Sequence, residues 1–160
     1  MGLLSFIKEA GEKLFGHDDA QAASPDQAAA ANTKAADAIR AHITKLNLAP
    51  ADLAVTFDSK TSAATVSGTA PDQATKEKIL LAAGNVQGVG QVDDRLTVAA
   101  PAQPEARFHT VKSGDTLSAI AKTYYGDANK YNAIFEANKP MLSHPDKIYP
   151  GQVLRIPPTP

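Results

Sequence analysis

Two stretches without large apolar side chains divide this 160-residue chain and leave only short segments that can build a core. Residues 16–32 and 99–106 consist almost entirely of Ala, Pro, Asp, Gln and other small or polar residues. Such composition buries too little apolar surface to support a fold. The sequence therefore predicts an N-terminal segment (1–15), an Ala-rich linker (16–32), a first domain (33–98), a Pro/Ala linker (99–106) and a second domain (107–157).

Apolar spacing in the first domain changes between the helical and the strand period. A helical face is followed by two alternating stretches, by a helix that opens at Pro71-Asp72 and closes at Gly84, and by a strand from Val89 to Val98. The predicted order is αββαβ. The positions that carry it are Ala35, Ile39, Ile43, Leu46, Leu53, Val55, Phe57, Ala64, Val66, Ile79, Leu80, Ala83, Val92 and Leu96.

The second domain shows a different order. A strand over 108–112, a Ser113-Gly114 turn, a helix capped by Asp115 or Thr116, a second helix and a strand over 152–156 follow one another. Pro150-Gly151 has the composition of a type II turn before the last strand. The predicted order is βααβ, and the whole chain is predicted to be α+β.

The N-terminal segment has one apolar stripe at helical spacing, formed by Leu3, Phe6, Ile7, Ala10 and Leu14. We expect an amphipathic helix that docks on the body of the protein, because a helix this short is marginal alone. Docking on a protein partner stays open. The segment lacks the pattern of a signal peptide, and no apolar run reaches about 20 residues. We expect a cytoplasmic monomer.

Composition argues against several kinds of chemistry. With a net charge of −1, the chain lacks the basic stripe that binding to nucleic acid or to a membrane surface requires. There is no cysteine, which excludes thiolate metal sites and cysteine nucleophiles. The four histidines are scattered, without the spacing of metal ligands. Asp93 and Asp94 are neighbours on a predicted strand, so their side chains should point to opposite faces. We therefore expect a binding protein and not an enzyme.

Specific runs of residues resemble known families. The run Phe-His-Thr-Val-Lys-Ser-Gly-Asp-Thr-Leu from Phe108, the segment Ile134-Phe-Glu-Ala-Asn138 and the run Ile148-Tyr-Pro-Gly-Gln-Val-Leu-Arg-Ile resemble a LysM domain. The preceding unit resembles a BON domain in element order and in the stretch Gly84-Asn-Val-Gln-Gly-Val-Gly-Gln-Val-Asp-Asp94. Together with the N-terminal run, this combination resembles the bacterial cytoplasmic potassium-binding proteins.

That resemblance implies a K+ sensor or buffer in which ion binding compacts the domains. Its implied ligands are backbone carbonyls from the N-terminal segment and from the stretch that begins at Gly84, with Glu12 as the candidate for a sixth oxygen. Rb+ and Cs+ stay open as further ions, and so does an unidentified protein partner. The implied ligand residues are Ile7, Ala10, Glu12, Gly84, Val86 and Val89.

Physical chemistry favours carbonyl ligands for such an ion. Neutral carbonyl dipoles replace the water shell of a large monovalent cation, whereas crowded carboxylates favour divalent ions. A helix that ends at Gly84 presents free carbonyls at the negative end of its dipole. We expect Gly84 to need a positive φ, and the glycines of 84–90 to let the chain fold back.

The alternative function also comes from a resemblance. LysM domains bind N-acetylglucosamine polymers such as peptidoglycan fragments, in a groove between the first turn and the loop before the last strand. The corresponding residues would be Gly114, Asp115, Thr116, Leu117, Asn138 and Ile148. The lack of an export signal and the insertion 140–147 argue against this alternative.

Overall fold

The helices and strands of both domains follow the predicted order, whereas the N-terminal segment begins with a strand. A computed structural model describes residues 3–6, 25–101 and 104–158. The elements are β1 (Leu3–Ser5), α1 (Pro25–Lys45), β2 (Ala54–Asp58), β3 (Ala63–Ala70), α2 (Gln73–Gly84), β4 (Gln91–Val98), β5 (Arg107–Thr110), α3 (Leu117–Tyr125), a 3-10 turn (Ala128–Lys130), α4 (Tyr131–Ala137) and β6 (Val153–Ile156). This mixture of helix and strand confirms the α+β prediction, with αββαβ followed by βααβ.

The first domain is a four-stranded sheet covered by α1 and α2. Its strand order is β1-β4-β3-β2, in which β2 and β3 form an antiparallel hairpin and β3 lies parallel to β4. The parallel pair needs a crossover, and α2 supplies it. The predicted helical face is confirmed, because Ile39 and Ile43 are fully buried and Leu46 packs against the same core.

Helix α1 begins earlier than the sequence analysis predicted. Of the predicted linker 16–32, the residues from Pro25 onward belong to α1, and residues 16–24 lie outside the described part of the chain. Proline suits the first position of a helix, and alanine has the highest helix propensity. Composition predicts that this stretch contributes little to a core, and that agrees with the structure: Ala29 and Ala30 are exposed, and from there onward the first buried residue of α1 is Ala35.

The N-terminal residues of the described chain form a strand, so the helix prediction is wrong for Leu3–Ser5. This segment, β1, pairs antiparallel with β4, with Leu4 opposite Val92. Leu4 and Phe6 both pack against the first core, which is the two-residue period of a strand. A short apolar run fits either period, and the open edge of β4 decides the outcome by supplying hydrogen bonds. The remainder of the predicted helix, 7–15, lies outside the described residues.

The second domain is a two-stranded antiparallel sheet, β5 with β6, covered by α3 and α4. Thr116 is the N-cap of α3, and its side chain accepts a hydrogen bond from Ala119 N. The turn before β6 has the predicted type II geometry, since Gly151 has φ 90° and Gln152 N donates to Tyr149 O at 3.1 Å. A separate core lies between sheet and helices, and its fully buried members include Ile134 and Ile156.

Within the part of the chain that the structure describes, no helix is both long enough and apolar enough to span a bilayer.

Candidate ion-binding site

Helix α2 has a capped start and a last turn without a basic residue. At its start, the Asp72 carboxylate accepts a hydrogen bond from Thr75 N at 2.7 Å, and the Thr75 hydroxyl and N–H together lower the pKa of Asp72. At its end, Asn85 N donates to Leu81 O at 2.9 Å, and no basic residue lies in the last turn. The negative end of the helix dipole is therefore not neutralised by a side chain of that turn.

The loop that follows α2 is anchored by two valines. Val86 and Val89 are fully buried in the first core, and Val89 N donates to Val86 O at 3.1 Å across a tight turn. Gly88, inside this turn, has φ 98°, a conformation that favours glycine. The buried side chains of the two valines thus anchor the loop in the core, and its backbone turns back towards β4.

Backbone carbonyls at both ends of this loop have no backbone donor among the described residues. Within that part of the chain, no backbone N–H donates to the carbonyl of Gly84 or to that of Val89. The Val86 carbonyl accepts a hydrogen bond from Val89 N, and a carbonyl oxygen has two lone pairs. As far as the described residues go, the three carbonyls that the sequence analysis selected in this region therefore each have a lone pair that no backbone N–H occupies.

Gly84 is required for a reason that the sequence analysis missed. Its φ is not positive, so the expected left-handed conformation is wrong. Instead, a Cβ added at this position would meet the Phe6 ring at 2.0 Å, a distance that real Cβ atoms do not reach. Glycine is needed here because an aromatic ring lies directly against the last turn of α2. No local pattern in the sequence marks this contact.

Phe6 places the N-terminal segment beside the loop. Its backbone N–H donates to Gly90 O at 2.9 Å, so Phe6 extends the pairing of β1 with β4 while its ring covers Gly84. The next residue along the chain is Ile7, the first of the N-terminal ligands that the family resemblance implies. Ile7, Ala10 and Glu12 lie outside the described residues, so their part in the site stays a prediction.

Acidic side chains near the loop are engaged elsewhere. Asp94 is buried, lies 3.3 Å from Lys76 Nζ and accepts from Leu96 N, whereas Asp93 pairs with Arg95 at 3.1 Å on the other face of β4. This confirms that the two carboxylates point in opposite directions. Within the described ranges, no group of three or more His, Asp or Glu side chains could hold a metal ion.

Helix α2 also contacts the second domain. Glu77 is 2% exposed, and its carboxylate accepts from Arg155 Nε at 2.9 Å and from Ala106 N at 2.9 Å. Burial, followed by the charge of Arg155, lowers the pKa of Lys78 beside this pair. Directly after the end of α2, the side-chain amide of Asn85 makes hydrogen bonds with the backbone of Val153 on β6. None of these pairings was predicted, because their partners are far apart in the sequence.

The residues of the alternative glycan site divide into two groups. Leu117 and Asn138 are buried, and the Asn138 amide makes hydrogen bonds with Ile134 O, Arg155 O and Arg155 N. Their side chains therefore hold the domain together and do not face a ligand. Gly114 is exposed with φ 89°, Thr116 caps α3, and Ile148 packs on the second core.

Asp115, the remaining member of that set, is held within its own turn. Its carboxylate lies 3.0 Å from His109 Nε2 and accepts from Lys112 N at 2.9 Å. These hydrogen bonds, the one to His109 first, lower the pKa of Asp115. The nearby aromatic side chains of Tyr124, Tyr125 and Phe135 are partly buried and pack against the second core.

Two domain families match the chain in the order that the fold shows. The BON domain model matches residues 31–100, and the LysM domain model matches residues 109–157. This defines the class of protein as a BON domain followed by a LysM domain. The chain is also 51% identical, over 157 residues, to the potassium binding protein Kbp of Escherichia coli, covering 98% of this chain and 99% of that protein. The chain belongs to the Kbp family.

Two further relatives share only part of the chain. An uncharacterised protein of Deinococcus radiodurans is 46% identical over 85 residues, which are 47% of this chain and 33% of that protein. The uncharacterised protein YqbP of Bacillus subtilis is 36% identical over 66 residues, which are 36% of this chain and 30% of that protein.

Proposed function

We propose that this chain binds K+ without catalysing a reaction, and that backbone carbonyls hold the ion. The observation that carries this proposal is the contact of Phe6 with Gly84, because it brings the segment that leads to Ile7 against the backbone carbonyls at the end of α2. The membership of the chain in the Kbp family supports the choice of ion.

The proposed site has a loop half and an N-terminal half. In the loop half, the carbonyls of Gly84, Val86 and Val89 supply oxygen atoms at the negative end of the α2 dipole. Ile7, Ala10 and Glu12 supply the N-terminal half. Neutral oxygens suit K+ better than Mg2+ or Ca2+, because those divalent ions are bound most tightly by carboxylates.

We further propose that the protein acts in the cytoplasm as a monomeric K+ sensor or buffer, and that ion binding compacts its domains. The support is that the loop half of the site and the interdomain contacts of Glu77 and Asn85 lie on α2 or on the loop that directly follows it. Rb+ and Cs+, which resemble K+ in size and charge, are further candidate ions.

Thermal unfolding tests this function. The melting temperature is measured in KCl and in NaCl, LiCl and choline chloride at equal ionic strength. K+ at about a hundred times its dissociation constant should add roughly 2.7 kcal/mol to the free energy of unfolding. Equal melting temperatures in all four salts would contradict the proposal. A rise with chitooligosaccharide alone would support the glycan alternative instead.

A further inference from the structure

Asn85 connects the candidate ion loop to the other domain. It lies between Gly84 and Val86, two of the proposed carbonyl donors, and its side chain leaves the loop to reach β6. The amide oxygen accepts from Val153 N at 2.9 Å, and the amide nitrogen donates to Val153 O at 2.8 Å. An asparagine amide and a peptide group have the same donor and acceptor, so Asn85 takes the place of a residue in a neighbouring strand.

Strand β6 has one edge that β5 does not cover. Val111, directly after β5, donates its N–H to Gln152 O at 2.8 Å, so the backbone groups of Gln152 point towards the β5 side. Hydrogen-bonding direction alternates along a strand, so Val153 and Arg155 face the opposite edge. Asn138 closes this edge at Arg155 with the same paired geometry, from inside the second domain. Asn85 closes it at Val153, and Asn85 belongs to the first domain.

Docking of the second domain therefore fixes the backbone next to the carbonyl donors. The hydrogen bonds with Val153 hold the Asn85 side chain, and Asn85 N is bonded to Leu81 O, so the residue is held on both sides at φ −81° and ψ 49°. The buried pair of Glu77 with Arg155 holds the same two elements together at a distance from the loop. Rotation of Asn85 would turn the peptide groups on either side, whose oxygens include that of Gly84.

We propose that Asn85 is a positioning residue that couples docking of the LysM domain to the K+ affinity of the loop. This inference rests on the proposed function. By thermodynamic linkage, the coupling works in both directions: docking raises the affinity for K+, and K+ favours docking to the same extent. The second domain thus contributes to the site through the strand edge that Asn85 covers, without supplying an ion ligand.

Two variants test the coupling from different sides. Asn85→Ala removes the link beside the loop, and the double variant Glu77→Gln/Arg155→Met weakens docking without changing any loop residue. Isothermal titration with KCl should show about a tenfold loss of K+ affinity in each, within the usual range for coupled sites. The ratio of K+ to Na+ affinity should also narrow, because a loosely held set of carbonyls selects less by size. A purely structural role of Asn85 would leave that ratio unchanged.

Melting in choline chloride shows that each variant is folded. Hydrogen exchange at the Val153 amide, which donates to Asn85 Oδ1, reports docking in the unmodified protein and in the Glu77→Gln/Arg155→Met variant. K+ should slow this exchange in the unmodified protein, and the effect should be reduced in that double variant. If the unmodified protein binds no K+, the proposed function fails and this inference fails with it. If the unmodified protein binds K+ and both variants bind it with equal affinity and selectivity, only the coupling by Asn85 is wrong.

Discussion

Helices α2 and α3 each have a glycine at the C-terminal end, inside α2 and directly after α3, and the two glycines are needed for different reasons. Gly126 follows α3 with φ 76°, donates its N–H to Lys122 O, and has nothing within 4 Å of an added Cβ. Gly84 lies inside the last turn of α2, is buried, and touches the Phe6 ring. The end of α3 is an exposed helix stop with Lys122 in its last turn. The last turn of α2 has no such cation, and among the described residues the Gly84 carbonyl accepts no backbone hydrogen bond, which suits a cation site.

The largest expected effect comes from adding one methyl group at each glycine. Gly84→Ala places a Cβ 2.0 Å from the nearest atom of the Phe6 ring, so the ring must move. We expect a loss of roughly 1–3 kcal/mol of unfolding free energy, as for other overpacked positions. The K+-dependent increase in the free energy of unfolding should also be lost. Gly126→Ala should cost about 1 kcal/mol from its positive φ and should keep the K+ response.

Urea titrations in KCl and in choline chloride measure both quantities. The double variant Phe6→Ala/Gly84→Ala is the control for the steric argument, because it removes the ring that the new Cβ would meet. Its stability in choline chloride should fall by less than the two single losses added together. Full K+ stabilisation in Gly84→Ala would mean that the Phe6 contact does not bear on the ion site.

The two helix ends also show which parts of the fold and of the candidate site can be predicted from the sequence. The apolar periods predicted α2, β4 and the loop between them, because those elements follow from local spacing and from Asp72 and Gly84 at the helix ends. The reason for Gly84 could not be predicted, since Phe6 reaches it only through the pairing of β1 with β4. For the same reason β1 was mistaken for a helix. The link from Asn85 to Val153 spans 68 positions, and no local pattern indicates such a pair.

The starts of the two helices allow a second, smaller test. Asp72 caps α2 with a carboxylate, and Thr116 caps α3 with a hydroxyl. Replacing either by Ala should cost about 1 kcal/mol near neutral pH. The pKa of Asp72 is lower in the folded protein than its ordinary value, so its contribution is present above about pH 4 and is lost as the pH falls through the folded-state pKa.

Urea titrations between pH 7 and pH 3 should therefore show the cost of Asp72→Ala decreasing at the acid end. The cost of Thr116→Ala should stay constant, because a hydroxyl does not titrate in this range. A cost of Asp72→Ala that is equally large at pH 3 would show that the carboxylate charge does not contribute to the cap.

The smallest effect is expected at Asp93, and it tests whether carbonyls alone hold the ion. Asp93 lies opposite Leu3 on β1, and its carboxylate pairs with Arg95 at the surface. Asp93→Asn should change the unfolding free energy by less than about 0.5 kcal/mol, because exposed ion pairs contribute little. The K+-dependent rise in melting temperature should stay as in the unmodified protein. If this variant loses that rise, a charged oxygen takes part in binding, and Ca2+ should then compete with K+ for the site, since carboxylates favour divalent ions.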